Sequence, residues 1–192
     1  MDNLKLKEKL GSFKGNQNGR IDEEFKEIAK YLLFNGYLLI NNSRKVYIRS
    51  VELYYHEENG TMKDSIMYHR NKNGKKEPYF ESVTLNAHAS GIDFCFENES
   101  AQYRASILVR GFDIVEKGKE QHEKMDARST YFYDALLKGV DFSNGLTITW
   151  EEEKIDDTKW KLSEPLERIN TRKKEEQAGE KHYNRRLERI IK

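Results

Sequence analysis

The sequence has few of the residues that mark secreted, disordered or membrane-spanning proteins. Its 192 residues include one cysteine, Cys95, and two prolines, against twenty phenylalanines and tyrosines. A single cysteine excludes an intramolecular disulfide and a cysteine-based zinc ribbon, and the aromatic content argues against disorder. No run reaches the roughly 18 uncharged apolar residues of a membrane span, and the first residues lack the apolar core of a signal peptide. We therefore predict one compact, soluble, cytoplasmic domain with no membrane partner.

The net charge of +1 conceals a basic C-terminal segment. Residues 168–192 contain nine Lys or Arg and four Glu, a net charge of +5, so the preceding part carries about −4. A basic segment on a nearly neutral body suits contact with a polyanion, because neutralising phosphates releases counterions. A solvated, salt-bridged terminal helix explains the same charges without a partner. Charge alone therefore does not identify a nucleic-acid-binding protein.

The pattern of apolar residues predicts an α+β domain. Residues 1–20 are rich in Lys, Gly and Asn without a period, so we predict a flexible arm before a domain over 21–192. A helix is predicted to begin near Asp22, because Phe25, Ile28, Ala29, Leu32 and Leu33 recur at helical spacing. A short second helix is predicted over 129–139, and a connector or solvated helix over 116–128. Strands are predicted at 37–40, 46–55, 82–88, 92–97, 104–115 and 146–150, which together favour an antiparallel sheet.

Two of these strands carry an ionised residue on a side that otherwise fits the core. Strict alternation places Val46, Ile48, Ser50, Glu52 and Tyr54 on one side of the first. It places Leu108, Arg110, Phe112 and Ile114 together on the second. A lone buried charge costs several kcal/mol, so we predict that Glu52 and Arg110 meet, directly or through a water.

The same pair has a structural and a catalytic interpretation. A charge at the end of a strand is often part of a purely structural ion pair. The aromatic and imidazole side chains near Glu52 (Tyr54, Tyr55, His56, Tyr68 and His69) favour an acid–base site instead. The sequence has no HExxH, GxSxG, Walker A or GxGxxG motif, and we predict no metal. Cys95 lies between two phenylalanines and is expected to pack in the core.

Several segments, read in order, resemble the alkyladenine (3-methylpurine) DNA glycosylase family. Segment 51–54 is similar to its V-E-x-E-A-Y strand, 90–96 to its Y-G-M-x-x-C-x-N strand, and 105–110 to its A-V-L-L-R-A strand. The spacing from Cys95 to Arg110 matches without a gap. The other similar segments are the helix and strand over 28–40, Asp64 with Tyr68-His69 for the D-P-x-x-H turn, and the closing elements at 134–136, 144–146 and 168–169. The resemblance covers about residues 22–190 and depends on the order and spacing of short motifs.

The resemblance implies a monofunctional DNA glycosylase of base excision repair, built on a curved antiparallel sheet with flanking helices. Such an enzyme inserts an aromatic wedge into DNA and flips the target nucleotide into a pocket. Glu52 and Arg110 match the carboxylate and arginine that hold the hydrolytic water, and no cofactor is needed. General-base assistance of this kind is typically worth ~10²–10⁴ in rate. The implied base-binding positions are Tyr54, Tyr68, His69, Ala87, His88 and Glu97, with Ser90 at the wedge position.

The positions that bind the base depart from the family pattern. The wedge tyrosine is Ser90, which cannot fill the gap left by an extruded base, and the pocket asparagine is Glu97. The stacking tyrosine falls at Ala87, or at His88 after a shift of one residue. The turn histidine is likewise Tyr68 in strict register, with His69 one position on. Either the substrate differs from alkylpurines in duplex DNA, or catalysis has been lost.

Two other classes of protein fit the same sequence. One is a non-catalytic nucleic-acid-binding relative that uses the basic C-terminal segment. The other is a protein-interaction domain in which the Glu52–Arg110 pair is structural. We expect DNA, duplex or single-stranded, as the partner, while the base removed and the oligomeric state are left open.

Overall fold

The computed structural model describes residues 4–16, 19–64, 66–116, 123–125, 128–141, 143–169 and 185–192. None of the helices in these residues is long and apolar enough to cross a membrane. The elements, in chain order, are α1 (Leu4–Gly11), α2 (Ile21–Phe34), β1 (Gly36–Ile40), β2 (Arg44–Glu57), β3 (Thr84–His88), β4 (Gly91–Asn98), β5 (Tyr103–Glu116), β6 (Glu123–Met125), α3 (Tyr131–Leu137), β7 (Ile148–Glu152), β8 (Trp160–Leu162) and β9 (Arg185–Ile191).

The strands form one curled antiparallel sheet with the shape of a half-barrel. Its main path runs β3-β4-β5-β2-β1-β7, and the long strands β2 and β5 form its centre. β9 pairs with β2 over Ser50–Leu53, beyond the end of β1, and also with β8. β6 pairs with the end of β5, so the segment predicted as a connector contains a short strand. The α+β class with an antiparallel sheet is confirmed.

Helix α2 covers the concave core as its apolar stripe predicts. Its buried residues include all five at the predicted helical spacing, and they join one core cluster with the sheet. The first turn contains three acidic residues, Asp22, Glu23 and Glu24, whose negative charges interact favourably with the positive end of the helix dipole. The helix ends at Phe34, where the Asn35 backbone N–H donates to the Tyr31 carbonyl at 3.0 Å.

The flexible N-terminal arm predicted over residues 1–20 is wrong for its central part. Residues 4–11 form α1, and Leu6, Leu10 and Phe13 are buried in the same core as the sheet. The ring centroids of Phe13 and Phe25 lie 4.7 Å apart. The backbone carbonyl of Phe13 accepts a 2.6 Å hydrogen bond from the Tyr103 hydroxyl. Three buried apolar side chains dock this segment although most of its other residues are polar.

The terminal helix considered for the basic segment is wrong for residues 185–191, which form β9. Leu187 is buried and pairs with the core residue Val51 of β2. This apolar side chain of β9 therefore faces the same core as that of Val51. Four of the basic residues of this segment, Arg172, Lys173, Lys174 and Lys181, lie outside the described residues.

Two β-bulges change which residues share a face of the sheet. β2 and β5 pair Ile48 with Phe112, Ser50 with Gly111, and Val51 with Val109. Arg49 and Arg110 are therefore the extra residues of the two strands. An extra residue reverses the alternation beyond it. The predicted sharing of one side by Val46, Ile48, Glu52 and Tyr54 is consequently wrong.

The residues on the two sides of the bulges can be assigned from the core. Val46 and Ile48 share the core with Val51, Leu53 and Tyr55, and Phe112 and Ile114 share it with Ile107 and Val109. Because neighbours along a strand face opposite ways, Glu52, Tyr54 and Leu108 lie on the other side of the sheet. We call this side the polar face; it comprises Glu52, Tyr54, His56, Asp93, Cys95, Glu97, Arg104, Ser106 and Leu108, with Arg110 at its end.

Gly91 begins β4 in a conformation that an L-residue side chain would strain. Its φ is 139°, and an added Cβ would lie 2.8 Å from Ser129 Cβ and 2.9 Å from Leu108 Cδ1. We expect Gly91→Ala to lower the free energy of unfolding by roughly 2–3 kcal/mol, measured by denaturant titration. Gly11→Ala, at the end of α1 with nothing within 4 Å, serves as the control and should change it by less than about 0.5 kcal/mol. Equal losses in both variants would contradict this account.

Candidate active site

Glu52 and Arg110 meet, as the sequence predicts, and they do so on the polar face. Arg110 Nε lies 2.9 Å from Glu52 Oε1. The Ile169 backbone joins them from the segment after β8: its N–H donates to Glu52 Oε1 at 2.5 Å, and its carbonyl accepts from Arg110 Nη2 at 2.7 Å. Arg110 Nη1 also donates to Ser129 Oγ at 3.0 Å. A carboxylate, a guanidinium and a peptide group from three parts of the chain therefore converge.

The pair is withdrawn from solvent. Glu52 has no exposed surface, and Arg110 is 7% exposed. The Tyr54 hydroxyl donates to the second carboxylate oxygen, Glu52 Oε2, at 2.9 Å. Burial, and then the charge of Glu52, raise the pKa of Tyr54 well above its usual value, so this hydroxyl stays protonated as a donor. Both oxygens of Glu52 are thus held by protein donors.

A second buried ion pair fixes the segment that carries Ile169. Arg168 Nη1 lies 2.7 Å from Asp64 Oδ2, and both side chains are almost completely buried. The Arg168 guanidinium also stacks 4.4 Å from the centre of the Tyr54 ring. Asp64 in turn contacts β2, because its backbone N–H donates to His56 Nδ1 at 3.1 Å. These contacts hold the Ile169 peptide beside Glu52.

Burial makes His56 a source of acid sensitivity. It lowers the pKa of His56 from 6.5 to about 4, and Glu58 opposes the shift only in part. The unfolded chain takes up this proton near pH 6.5, whereas the folded protein takes it up near pH 4, so stability is lost as the pH falls through that window.

His56→Asn, which keeps an acceptor for the Asp64 N–H, should reduce this loss by about 2–3 kcal/mol. The measurement is the free energy of unfolding at pH 7 and pH 4 in both proteins. An identical pH dependence would show that His56 does not titrate in this way.

Tyr68, His88 and Ser90 form a second group at the turn between β3 and β4. The rings of Tyr68 and His88 stack with centroids 3.9 Å apart and an interplanar angle of 16°. Tyr68 Oη lies 2.8 Å from Ser90 Oγ. His88 Nε2 is 3.2 Å from Asp93 Oδ2, and the other oxygen of this buried carboxylate, Oδ1, has no hydrogen-bond partner among the described residues.

Sheet register relates this group to Glu52. Glu52 pairs with Leu108, and Leu108 pairs with Asp93, so Asp93 lies two strands from Glu52 in the same row of the polar face. The charge of Asp93 adds to that of Glu52 in raising the pKa of Tyr54.

Ala87 does not lie on the polar face, so the structure does not bring it to the candidate site. It pairs with Ile92, a core residue, and its side chain is exposed on the side of β3 opposite to His88. Because successive strand residues face opposite ways, only one of Ala87 and His88 can lie on the polar face. The structure selects His88, the position reached by a shift of one residue.

His69 and Glu97, also predicted to bind the base, lie in a separate cluster around Arg104. Arg104 is completely buried, with Nε 2.7 Å from Glu58 Oε1 and Nη1 3.2 Å from Glu97 Oε2. Glu97 Oε1 lies 2.6 Å from His69 Nδ1, and Oε2 accepts from the Phe80 N–H at 2.9 Å. The carboxylate of Glu97 is thus engaged by protein groups, and the structure does not bring it or His69 to the Glu52–Arg110 pair.

Several buried polar residues were not predicted from the sequence. Asp93 lies on the same face as Cys95 and Glu97, so alternation along β4 could have indicated it. Arg104 begins a predicted strand, and only the loop contacts from 58–80 explain its burial. Cys95 is buried as predicted, and burial raises the pKa of its thiol. Within the described part of the chain, no group of three or more His, Cys, Asp or Glu could hold a metal ion.

A cavity of about 610 Å³ borders the pair on its arginine side. Arg110 and Ile169 are in its wall, whereas Glu52 is not. Arg186 and Arg189 of the basic segment also line it.

Comparison with known protein families, with curated proteins and with solved structures finds no match for this chain. What the fold and site define is an α+β protein whose curled antiparallel sheet carries a buried, charged polar face.

Proposed function

We propose that this protein is a DNA N-glycosylase, a hydrolase that releases a damaged or modified base in base excision, with a fold like that of the alkyladenine glycosylases. We place its action in the cytoplasm. The convergence of Glu52, Arg110 and the Ile169 peptide is the observation that supports it. A buried ion pair often gives no net stability over apolar residues of the same volume. The presence of a buried ion pair beside a cavity therefore favours a chemical role for the pair over a purely stabilising one.

In the proposed reaction, the bond between C1′ of the target nucleotide and the base nitrogen breaks. A water oxygen forms the new bond to C1′, and the water proton passes to Glu52. The base leaves with the bonding electron pair and takes up a proton from solvent unless it is already cationic. The charge of Glu52 supports cationic character at C1′, while Arg110 holds the carboxylate in place.

The proposed reaction places a requirement on the segment that carries Ile169. Its N–H now occupies Glu52 Oε1, the oxygen that also faces Arg110. A water can be activated there only when this N–H gives up its place. Substrate binding is therefore expected to displace residue 169 while Arg168 keeps its contact with Asp64.

The aromatic group near Asp93 is the proposed base subsite. An extruded base stacking on Tyr68 or His88 would gain ~1–3 kcal/mol, as bases do on aromatic side chains. The buried Oδ1 of Asp93, which has no partner among the described residues, would accept a hydrogen bond from a base N–H. Ser90, at the wedge position, is too small to fill an emptied stack, so a base that is mismatched or already single-stranded is the expected substrate.

A non-catalytic nucleic-acid-binding protein is the second candidate. It is favoured by the complete burial of Glu52 and by the protein donors on both of its oxygens. Such a protein would bind DNA with a strong dependence on salt and release no base. A protein-interaction domain would show almost no salt-dependent affinity for DNA.

The test is a panel of oligonucleotides, each with one modified base, offered as duplex and as single strand. Free base is measured by mass spectrometry, and the abasic product by alkaline cleavage. The glycosylase proposal predicts release from at least one substrate by the wild-type protein and a large loss of release in Glu52→Gln. Release from none, together with salt-dependent binding, would replace it by the non-catalytic candidate.

A further inference from the structure

The cavity beside Arg110 is lined by an unusual number of arginines. It lies where β2, β5, β8 and β9 come together and has a volume of about 610 Å³. The arginines are Arg49, Arg110, Arg186 and Arg189, and Trp160 adds an aromatic surface. The Arg189 guanidinium lies 5.3 Å from the centre of the Trp160 ring.

Two of the four arginines reach the cavity through the β-bulges. Arg49 is the extra residue of β2 and Arg110 the extra residue of β5, and both line the cavity. Bulges of this kind redirect a side chain and are over-represented beside functional sites. The two bulges are neighbours in the β2–β5 pairing, and each directs an arginine to the same cavity. This arrangement indicates a binding site formed by the fold.

Carboxylates of the described residues pair with the guanidinium groups that line the cavity. Asp113 serves both Arg49, at 3.2 Å, and Arg189, at 3.4 Å. Glu188 lies 2.7 Å from Arg186 and also accepts from the Ser50 hydroxyl at 3.0 Å. With Glu52 beside Arg110, the described residues pair three carboxylates with these four arginines. Glu188, the carboxylate in the cavity wall, is already engaged.

Donor capacity is left over. The Nε atoms of Arg186 and Arg189 are buried, and neither has a hydrogen-bond partner among the described residues. Arg189 is only 7% exposed, and water therefore reaches it poorly. Burial lowers the pKa of Arg189, Asp113 opposes this shift, and the neighbouring charge of Arg49 adds to it. An anion in the cavity would offset the repulsion between these two cations.

We propose that this cavity binds the phosphate group of a nucleotide-sized ligand, with the arginines on the phosphate and Trp160 against its planar ring. Guanidinium forks match phosphate oxygens in pairs, which favours arginine over lysine at such sites. The volume is within the ~300–1,000 Å³ of small-molecule pockets. A free nucleotide and the terminal phosphate of a nucleic acid share this chemistry. The site is distinct from the base subsite and does not require that Glu52 be catalytic.

The first test uses the wild-type protein and the nitrogen-15 NMR signals of arginine side chains. Adenosine 5′-monophosphate and inorganic phosphate should shift the Nε–H signals of Arg186 and Arg189, whereas adenosine should not. Absence of any shift at millimolar concentrations of both phosphates would overturn the proposal. This measurement needs no variant, so it is unaffected if a substitution prevents folding.

The second test compares affinities by calorimetry. Arg186→Gln should weaken binding of adenosine 5′-monophosphate at least tenfold. Arg185→Gln, next to it on β9 but outside the cavity and paired with Asp22, should change it less than twofold. An equal effect of the two variants would contradict a specific site.

A 5′-phosphorylated oligonucleotide distinguishes the source of the phosphate. If the oligonucleotide competes with adenosine 5′-monophosphate, and no longer competes when its terminal phosphate is removed, the site binds a nucleic-acid end. If the oligonucleotide does not compete, the site binds a free nucleotide. Both outcomes uphold the phosphate site. Because binding is read without base release, failure of this proposal and failure of the glycosylase proposal are separately visible.

Discussion

Replacing Arg104 by methionine is expected to lower the free energy of unfolding by about 3–5 kcal/mol, the usual cost of breaking a buried charge pair from one side. Arg104 has no exposed surface and stands between Glu58 and Glu97. It also donates to the carbonyls of Glu77, at 2.5 Å, and Pro78, at 3.1 Å, which ties the loop before β3 to the sheet. Methionine fills similar space but leaves the buried Glu97 carboxylate without its cation.

The control for Arg104→Met is the same substitution at Arg20. Arg20 pairs with Glu23 at 2.6 Å, but both side chains are more than 60% exposed. An exposed pair contributes about 0–1 kcal/mol, so Arg20→Met should be nearly neutral. Chemical denaturation of the three proteins at pH 7 measures the difference. A loss below about 1 kcal/mol in Arg104→Met would show that the Arg104 cluster does not hold the polar face together.

Glu52→Gln is expected to lower the rate of base release by ~10²–10⁴ and also to lower stability, because the buried Arg110 loses its carboxylate partner. The amide has nearly the same shape, and its oxygen can still accept from the Tyr54 hydroxyl or the Ile169 N–H. It cannot take a proton from water or support a cationic C1′. Such a loss corresponds to about 3–5 kcal/mol of barrier.

Glu153→Gln is the matched control for this rate effect. Glu153 also pairs with a cation, Lys45 at 3.2 Å, but it is exposed and outside the candidate site. Its single-turnover rate should equal that of the wild type. If Glu52→Gln kept more than a third of the wild-type rate, Glu52 would not be the group that activates water.

The sequence predicted the meeting of Glu52 and Arg110, although one step of the reasoning was wrong. Strict alternation placed both residues on core-facing sides of their strands, together with Ile48 and Phe112. The bulges at Arg49 and Arg110 reverse the alternation, so the pair lies on the opposite, polar side. The need of a buried charge for a partner holds on either side of a sheet, which is why the pairing was still found. A bulge is set by pairing between distant strands and leaves no local pattern in the sequence.

Other parts of the site depend on contacts between distant residues that periodicity cannot reveal. The choice between Ala87 and His88 needed the register of β3 on β4. The Ile169 peptide reaches Glu52 only because Arg168 is held by Asp64, 104 residues earlier. By contrast α2 was predictable, since its stripe of apolar residues records which side faces the core. Helix α1 carries a shorter version of that signal in Leu6 and Leu10, and Phe13 follows two residues after the helix.

The claim that Glu52 and Arg110 hydrolyse a base–sugar bond is tested most directly by single-turnover base release with protein in excess over substrate. On the best substrate of the modified-base panel, the wild-type protein should release free base and leave an equimolar abasic product. Glu52→Gln should be at least a hundredfold slower. Release of no base from any substrate, or equal release by the wild type and Glu52→Gln, would contradict the claim.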